Sequence, residues 1–305
     1  MSTILVTGGT GFIGKHLTKI LIDNGYNVKI LSRSTKIKQI NNNIEFYNWD
    51  INNQFIEKGA FDNVSGIIHL AGENIGNKIW SIKRKKEIIE SRINTIDLIY
   101  KECIKENKLP SVFISASAIG FYGAFTSEQI FTEESQASLD FLPQTCKLWE
   151  QASERFTEIG VRTVKIRTGL VLSQDSIALK KMIFPIKIGI GSAIGSGKQY
   201  ISWIHIDDLC GIYIKALKDI NIAGIYNAVS PEYITNKEFM QNIAKVLQKP
   251  FWSLNIPSIF MKILFGEMSS IILQGSRISN EKILKEGYIF KFLSLKNALV
   301  DILKK

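Results

Sequence analysis

Cysteine and histidine are both scarce in this sequence. The 305 residues contain three cysteines and three histidines. The cysteines are Cys103, Cys146 and Cys210, and the histidines are His16, His69 and His205. The thiols are far apart and form no C-x-x-C pair, which favours reduced side chains in a reducing compartment. The histidines have no spacing typical of metal ligands. The sequence therefore predicts neither a disulfide framework nor a metal site.

Long hydrophobic runs are also missing. No apolar run reaches transmembrane length, and the first residues show no basic segment ahead of an apolar one, as a secretory signal would. We therefore expect a cytoplasmic protein that has no membrane partner.

The net charge of +10 is high enough to attract nucleic acid, an anionic membrane or an anionic cofactor. The densest basic cluster, Lys83-Arg84-Lys85-Lys86, begins a segment of helical apolar spacing, so we interpret it as a solvated helix face. No nucleic-acid-binding motif is visible, and no aromatic residues alternate with the basic ones as a stacking surface would require. No nucleic-acid partner is predicted, and the sequence leaves the oligomeric state open.

Short β-branched runs alternate with helical patterns through the first two-thirds of the chain. The strand-like runs are Thr3–Thr7, Val28–Leu31, Ile44–Tyr47, Gly66–Leu70, Val112–Ser115 and Val161–Arg167. Such alternation predicts an α/β protein, a doubly wound parallel-sheet Rossmann fold. We expect residues 1–169 to form an NADP-binding Rossmann core, to which 205–228 returns. Residues 170–305 are expected to form mostly a smaller C-terminal substrate-capping lobe, with the part from Phe251 onward mostly helical.

A glycine-rich motif, Thr7-Gly-Gly-Thr-Gly-Phe-Ile-Gly14, directly follows the first strand and opens the first helix. This position is what makes the motif typical of dinucleotide binding. Gly8 allows a tight turn, Gly11 lets the backbone approach a pyrophosphate, and Gly14 lets the helix pack closely on the strand. Unpaired N–H groups at the helix N-terminus then face the phosphates. The predicted contacts in this loop are Gly8, Thr10, Gly11, Phe12, Ile13 and Gly14.

The end of the second strand indicates which dinucleotide is bound. NAD-binding sites usually have an acidic residue there, which accepts from the ribose 2′-hydroxyl. This chain has Ser32-Arg33-Ser34 instead. Arg33 can pair with a 2′-phosphate and stack on adenine, and the serines add hydroxyl donors. The sequence therefore predicts NADP as the cofactor, and it places Ala71-Gly72, after the fourth strand, at the same edge of the sheet.

Three motifs together resemble those of the extended short-chain dehydrogenase/reductases, which include the nucleotide-sugar epimerases and dehydratases. They are the glycine motif, His69-Leu-Ala-Gly-Glu-Asn74 and Ser115-Ala-Ser-Ala-Ile-Gly-Phe-Tyr-Gly123. Four further segments resemble the subgroup called "epimerase family protein": Leu-Ala-Gly-Glu-Asn-Ile, Arg167-Thr-Gly-Leu-Val-Leu, Gly195-Ser-Gly-Lys-Gln with Trp203-Ile-His-Ile-Asp-Asp208, and Gly266-Glu-Met. The resemblance covers essentially the whole chain. It implies NADP contacts at Ser32, Arg33, Leu70, Ala71, Glu87 and Arg92.

The tyrosine and lysine that this superfamily uses for proton transfer, four residues apart, are missing. In one register Leu142 and Cys146 occupy the two positions, and in the other Pro143 and Lys147 do. The hydroxyls of Ser115, Ser117 and Tyr122 remain, and Ser117 and Tyr122 are the catalytic candidates, since a hydroxyl can orient a substrate oxygen and a phenol can donate a proton.

Neither His205 nor Cys146 is predicted to be a catalytic residue. His205, ahead of a helix, is interpreted as a buried, hydrogen-bonded residue. The Cys146 thiol has no histidine near it in sequence and is not predicted to be a nucleophile.

Three functions remain open. The first is an NADP-dependent oxidoreductase or epimerase that acts on a small polar or sugar-like substrate beneath the lobe. The second is a non-catalytic NADP-binding protein that senses or reports redox state. The third is a cell-division factor, a label that some relatives carry.

Overall fold

The computed structural model describes residues 2–33, 39–41 and 43–304. The strands are β1 (Thr3–Thr7), β2 (Asn27–Ser32), β3 (Gln39–Asn41), β4 (Ile44–Asp50), β5 (Phe55–Ile56), β6 (Val64–His69), β7 (Val112–Ala118), β8 (Ile130–Phe131), β9 (Arg162–Thr168), β10 (Leu170–Leu172), β11 (Gly191–Ile194), β12 (Trp203–His205), β13 (Gly224–Ala228), β14 (Phe251–Ile256) and β15 (Arg277–Ile278). The helices are α1 (Phe12–Asp23), α2 (Ile82–Lys105), α3 (Phe141–Glu158), α4 (Ile177–Lys187), α5 (Ile206–Lys218), α6 (Asn236–Leu247), α7 (Ser258–Phe265), α8 (Ser270–Leu273), α9 (Glu281–Lys285) and α10 (Leu295–Leu303). Two 3₁₀ turns lie at Ile119–Tyr122 and Gly266–Ser269.

The central sheet has the strand order β13-β9-β7-β6-β1-β2-β4-β3. The strands in this order are parallel except β3, which runs antiparallel to β4 at one edge, and the short β5 also pairs antiparallel with β4. The chain starts in the middle of the sheet at β1 and winds outward in both directions, because β1 pairs with β2 on one side and β6 on the other. The predicted doubly wound Rossmann fold is confirmed.

Helices cover both faces of this sheet. The side chains of α1 and α5 pack on one face and those of α2 and α3 on the other. Every residue of β1 is buried, as expected for a parallel strand that is covered on both sides. The glycine motif and the ends of the neighbouring parallel strands therefore meet at one open edge, where ligands of such sheets bind.

The segment 205–228 contributes α5 and β13, and β13 pairs with β9 at the edge of the central sheet. Much of the rest of the C-terminal part forms a second apolar cluster, in which α4, α6 and α10 pack together. Thr235 caps α6, and Glu238 bonds back to the Thr235 backbone. The exact division of the chain at residue 169 stays a prediction.

The expectation of helix after Phe251 is wrong for its first residues. Phe251–Ile256 is strand β14, which pairs in parallel with β11. The segment has the aromatic and β-branched residues that strands favour, and a nearby partner strand decides the outcome. Among the described residues, no helix is both long and apolar enough to cross a bilayer.

Candidate functional site

The glycine loop is shaped by close backbone contacts that only glycine allows. Gly8 adopts a φ of +68°, and a Cβ there would lie 2.9 Å from the carbonyl carbon of Leu70. A Cβ at Gly14 would lie 2.1 Å from the carbonyl oxygen of Gly8. Any side chain at Gly14 would therefore push α1 away from the loop. The Gly11 amide donates to the Gly8 carbonyl at 2.9 Å and closes the turn.

The N-terminus of α1 is open to an anion. Gly11 is the N-cap residue, no side chain caps the helix, and its first turn contains no acidic residue. The first-turn N–H groups therefore keep their hydrogen-bonding capacity, and the helix dipole favours negative charge there. Thr10, Gly11 and Phe12 are exposed at this point. The loop and helix end thus fit a pyrophosphate group.

Arg33 stands just beyond the end of β2 with its side chain 80% exposed. Its Nη1 lies 3.9 Å from Oε1 of Glu73, and Glu73 also pairs with Nη1 of Arg84 at 3.0 Å. The carboxylate that β2 lacks is therefore supplied nearby by the loop after β6, although Arg84 shares its charge. Ser32 is the last residue of β2, and Ser34 lies outside the described residues.

Leu70 and Ala71 lie against the glycine loop, and Gly72 follows them beside Arg92. The amides of Leu70 and Ala71 donate to the carbonyl and hydroxyl oxygens of Thr7, both at 3.2 Å. A Cβ at Gly72 would lie 3.2 Å from Cζ of Arg92. These contacts place the segment after β6 at the mouth of the loop, where the sequence predicts it.

Arg92 and Glu87 both have partners within the protein. Arg92 is buried, donates to the carbonyl oxygens of Ile88 and Glu73, and lies 4.8 Å from the centre of the Trp149 ring. Its burial lowers its pKa. Glu87 accepts from Arg84 at 3.0 Å. Arg92 therefore holds the Glu73 backbone directly, and Glu87 acts on Glu73 through the Arg84 that they share. The contact of Arg92 and Glu87 with a cofactor stays a prediction.

The inner face of α3 decides between the two registers of the missing dyad. Leu142 and Cys146 face Gly120, because a Cβ at Gly120 would lie 3.6 Å from Leu142 Cβ and 3.8 Å from Cys146 Sγ. Lys147 is exposed. Burial raises the pKa of the Cys146 thiol to about 12. An alkyl group and a neutral thiol therefore occupy the side of α3 that faces the turn after β7.

A buried polar network lies behind this face. Ser117 donates to Glu150 Oε1 at 2.6 Å, and Arg167 pairs with both oxygens of Glu150 at 2.8 Å. Tyr122 donates to Asn227 Oδ1 at 2.6 Å and accepts from Arg167 at 3.0 Å. The network ties β7, α3, β9 and β13 together. Its central ion pair was not predicted, although an arginine at the end of an apolar strand was a possible signal.

The two catalytic candidates are both inside this network. Ser117 and Tyr122 are buried, and each hydroxyl hydrogen is donated to a protein acceptor. Burial raises the pKa of Tyr122 to about 12, although the nearby Arg167 opposes the shift. The arrangement favours a structural role for both hydroxyls. Their catalytic role stays a prediction.

His205 is the N-cap residue of α5, since its Nδ1 accepts from the Asp207 amide at 3.1 Å. Its ring packs on Phe292, with 3.8 Å between ring centres. Burial lowers the pKa of His205 to about 4. Asp207 lies 3.9 Å from His205 Nδ1 and pairs more closely with His16 and Lys291, each at 2.8 Å. The interpretation of His205 as a buried, hydrogen-bonded residue at a helix start agrees with this geometry.

The Gly266-Glu-Met segment fastens the lobe to the core. Lys85 pairs with Glu267 at 2.6 Å, and Met268 joins an apolar cluster with Trp80 and Ile88. Leu142 packs against the same cluster. The lobe therefore closes over the end of α3 with mostly apolar contacts.

Comparison with known proteins agrees with these motifs. A family model described as the NAD dependent epimerase/dehydratase family matches residues 4–228, and one for a domain of unknown function matches 256–302. Epimerase family protein YfhF of Bacillus subtilis is 35% identical over 301 residues, which cover 98% of this chain and 97% of that protein. The chloroplastic SDR39U1 homolog of Arabidopsis thaliana is 34% identical, and the match covers 99% of this chain and 87% of that protein. The crystal structure of human SDR39U1 with NADPH has a TM-score of 0.85 at 30% identity, over 99% of each chain.

Proposed function

The chain belongs to the NAD dependent epimerase/dehydratase family, and from that premise we propose that it is an NADP(H)-dependent oxidoreductase. It binds the cofactor across the glycine loop and exchanges a hydride with a small carbonyl or alcohol compound beneath the lobe. The observation that carries the choice of NADP(H) is Arg33, which stands with serines on both sides where NAD sites have an acid.

The loop and Arg33 divide the recognition of the cofactor between them. The uncapped N-terminus of α1 fits the pyrophosphate. The guanidinium of Arg33 fits the 2′-phosphate, because its parallel donors match two phosphate oxygens. Glu73 lies close to Arg33, but its hydrogen bond to Arg84 balances much of its charge. The NADPH complex of human SDR39U1 supports the same choice.

The chain offers few groups for the chemistry that follows binding. NADPH supplies a hydride when bound. Reduction of a carbonyl also needs a proton on oxygen, and neither Leu142 nor Cys146 is suited to give one at neutral pH. We therefore assign the proton to water and expect slow turnover. An epimerase would need proton removal and return at the same carbon-bound hydroxyl, which makes it the less favoured reaction.

We infer the substrate class from the apolar side chains near the end of α3. Trp80, Phe141 and Leu142 belong to one apolar cluster at the end of α3. Apolar side chains at this place favour a small carbonyl compound with an apolar group over a nucleotide sugar, whose hydroxyls would lack partners. The sequence-based expectation of a small polar or sugar-like substrate remains the alternative. The cytoplasmic location also stays a prediction.

A second candidate function is supported by the same face of α3. A protein that binds NADP(H) without turnover, and reports its redox state, has no need of a proton donor. Leu142 and Cys146 at the dyad positions favour this reading directly. It differs from the first only in the step after binding.

One experiment separates the two. The purified protein is titrated with NADPH by calorimetry, and NADPH oxidation is then followed with a panel of aldehydes, ketones and nucleotide sugars. Binding with slow oxidation of one carbonyl class supports the oxidoreductase. Binding with no oxidation of any compound supports the sensor, and oxidation or epimerisation of a nucleotide sugar contradicts the substrate proposed here. If NADPH does not bind, both functions fail.

A further inference from the structure

Two segments of the C-terminal lobe contain lysines but no acidic residue. Residues 176–206 have four lysines and residues 239–266 have three, without one Asp or Glu in either segment. The lysines are Lys180, Lys181, Lys187, Lys198, Lys245, Lys249 and Lys262, and all of them are exposed. The two segments lie together because β11 pairs with β14. Seven lysines therefore belong to two segments that are joined by strand pairing and contain no acidic residue.

The same segments expose large apolar side chains. No residue of α7 is buried, and Ile263 on this helix is 74% exposed. Leu254 on β14 is 84% exposed. We define the lobe face as the exposed apolar residues of these segments and the lysines among them. Its large apolar members are Ile177, Phe184, Ile188, Ile190, Trp252, Leu254, Ile259, Phe260, Ile263 and Leu264.

Direct contacts join the parts of the lobe face. The indole Nε1 of Trp252 donates to the carbonyl oxygen of Gly189 at 2.8 Å, which holds β14 beside the turn after α4. Lys187 and Lys249 flank this contact in the sequence. Pro257 alone separates β14 from α7, where Lys262 stands among the apolar residues. Cationic and apolar side chains are therefore interleaved on the lobe face. Apolar residues that are scattered singly over a surface need no explanation, but a contiguous group of them indicates a binding surface.

We propose that the lobe face binds the surface of an anionic phospholipid bilayer. Exposed aromatic and aliphatic side chains enter the headgroup boundary, while lysines pair with anionic headgroups. A tryptophan such as Trp252 is well suited to that boundary.

A second copy of the chain fits the lobe face poorly. A two-fold interface would bring this surface against itself, so that lysines would face lysines from segments that contain no carboxylate of their own. A negatively charged, laterally fluid surface satisfies the apolar and the cationic residues together.

This proposal revises the expectation of no membrane partner. That expectation was based on the lack of segments that could cross a bilayer, and the described helices contain none. Surface binding needs no such segment, because a few interfacial side chains and several basic ones suffice. The proposal is independent of the NADP(H) function, since the lobe face shares no residue with the glycine loop.

Vesicle co-sedimentation tests the proposal with the full chain. The protein is mixed with vesicles of phosphatidylcholine alone or of phosphatidylcholine with phosphatidylglycerol. We expect sedimentation with the anionic vesicles only, and its loss at high salt. Ile263→Ser and Leu254→Ser should each weaken binding about ten-fold, since each removes apolar burial. Lys249→Gln and Lys262→Gln should each weaken it about five-fold.

Matched controls are available elsewhere on the surface. Ile220 is 79% exposed and lies outside the lobe face, so Ile220→Ser should leave vesicle binding unchanged. Lys296→Gln is the equivalent control for charge. Unchanged NADPH affinity shows that each variant is folded.

Four results would overturn the proposal. They are the absence of sedimentation with anionic vesicles, equal loss in the control variants, equal binding to neutral vesicles, and a dimer in sedimentation velocity that Ile263→Ser or Leu254→Ser dissociates. The last would assign the lobe face to a second copy. Capture of an acidic protein by the lobe face without vesicle binding would likewise replace the membrane as its partner.

Discussion

The cleft has a first half at the glycine loop and a second half at the dyad positions, and the two differ in the functional groups that they contain. At the glycine loop, the groups needed to hold a dinucleotide are present: a positive-φ turn at Gly8, an uncapped helix N-terminus and an exposed Arg33. At the end of β7, the positions that would transfer a proton hold Leu142 and Cys146, and the nearby hydroxyls are bonded internally. Cofactor binding and proton transfer are therefore separable in this fold, because different elements supply them: the loop between β1 and α1 for the first, and α3 for the second.

The largest effect is expected on the stability of the second half, from loss of the buried ion pair between Glu150 and Arg167. Glu150→Ala leaves the Arg167 guanidinium buried without its carboxylate partner, which should cost about 3–5 kcal/mol in the free energy of unfolding. Urea denaturation measures this loss. Glu158→Ala on the same helix is the control, because Glu158 is exposed and its loss should change stability by under about 0.5 kcal/mol. Similar stability for both variants would show that the network does not hold this half together.

Gly11→Val should abolish cofactor binding at the glycine loop and leave the rest of the cleft unchanged. The backbone at Gly11 is extended, with φ −78°, so valine can be tolerated there. Its side chain would occupy the space that a pyrophosphate needs and would crowd the Gly8 carbonyl, 3.1 Å from the new Cβ. We expect NADPH affinity to fall by about a hundred-fold or more, with an unchanged circular dichroism spectrum. Unchanged affinity in calorimetry would mean that the phosphate loop has been misplaced.

Arg33→Ala should remove the preference for NADP(H). If one charge-assisted pairing is responsible, the unmodified protein binds NADPH more tightly than NADH by about 1.5–3 kcal/mol. The variant should lose most of that difference and keep its affinity for NADH. Calorimetry with both cofactors measures the gap, and equal affinities in the unmodified protein would contradict the assignment.

The smallest effects concern the two hydroxyls. Tyr122→Phe removes hydrogen bonds to Asn227 and Arg167, and Ser117→Ala removes one to Glu150. Each should lower stability by about 1–2 kcal/mol while NADPH affinity is unchanged. The sequence-based alternative predicts that Ser117→Ala lowers single-turnover NADPH oxidation more than Tyr122→Phe does. A ten-fold drop in kcat at unchanged KM in either folded variant would favour that alternative over the structural role.

Local patterns were sufficient to predict the fold class and the position of the glycine loop. The glycine motif with the strand before it is one short segment, and the residues after β2 are another. Each segment predicts its local structure without information from distant parts of the chain. Long-range pairing was not accessible in this way. Glu150 and Arg167 meet across α3 and β9, and strand β14 forms because β11 lies beside it. The choice between Cys146 and Lys147 also needed the orientation of α3, which a one-residue shift in counting leaves undetermined.

The central claim is that this cleft binds the cofactor without a protein group to transfer the proton. A crystal structure with bound NADP⁺ tests it most directly, because it shows which side chains lie near C4 of the nicotinamide. The account predicts Leu142 and Cys146 at the dyad positions and no tyrosine, lysine or histidine within hydrogen-bonding distance of a substrate oxygen there. A phenol, ammonium or imidazole in that place, for example Tyr122 turned into the cleft, would contradict it.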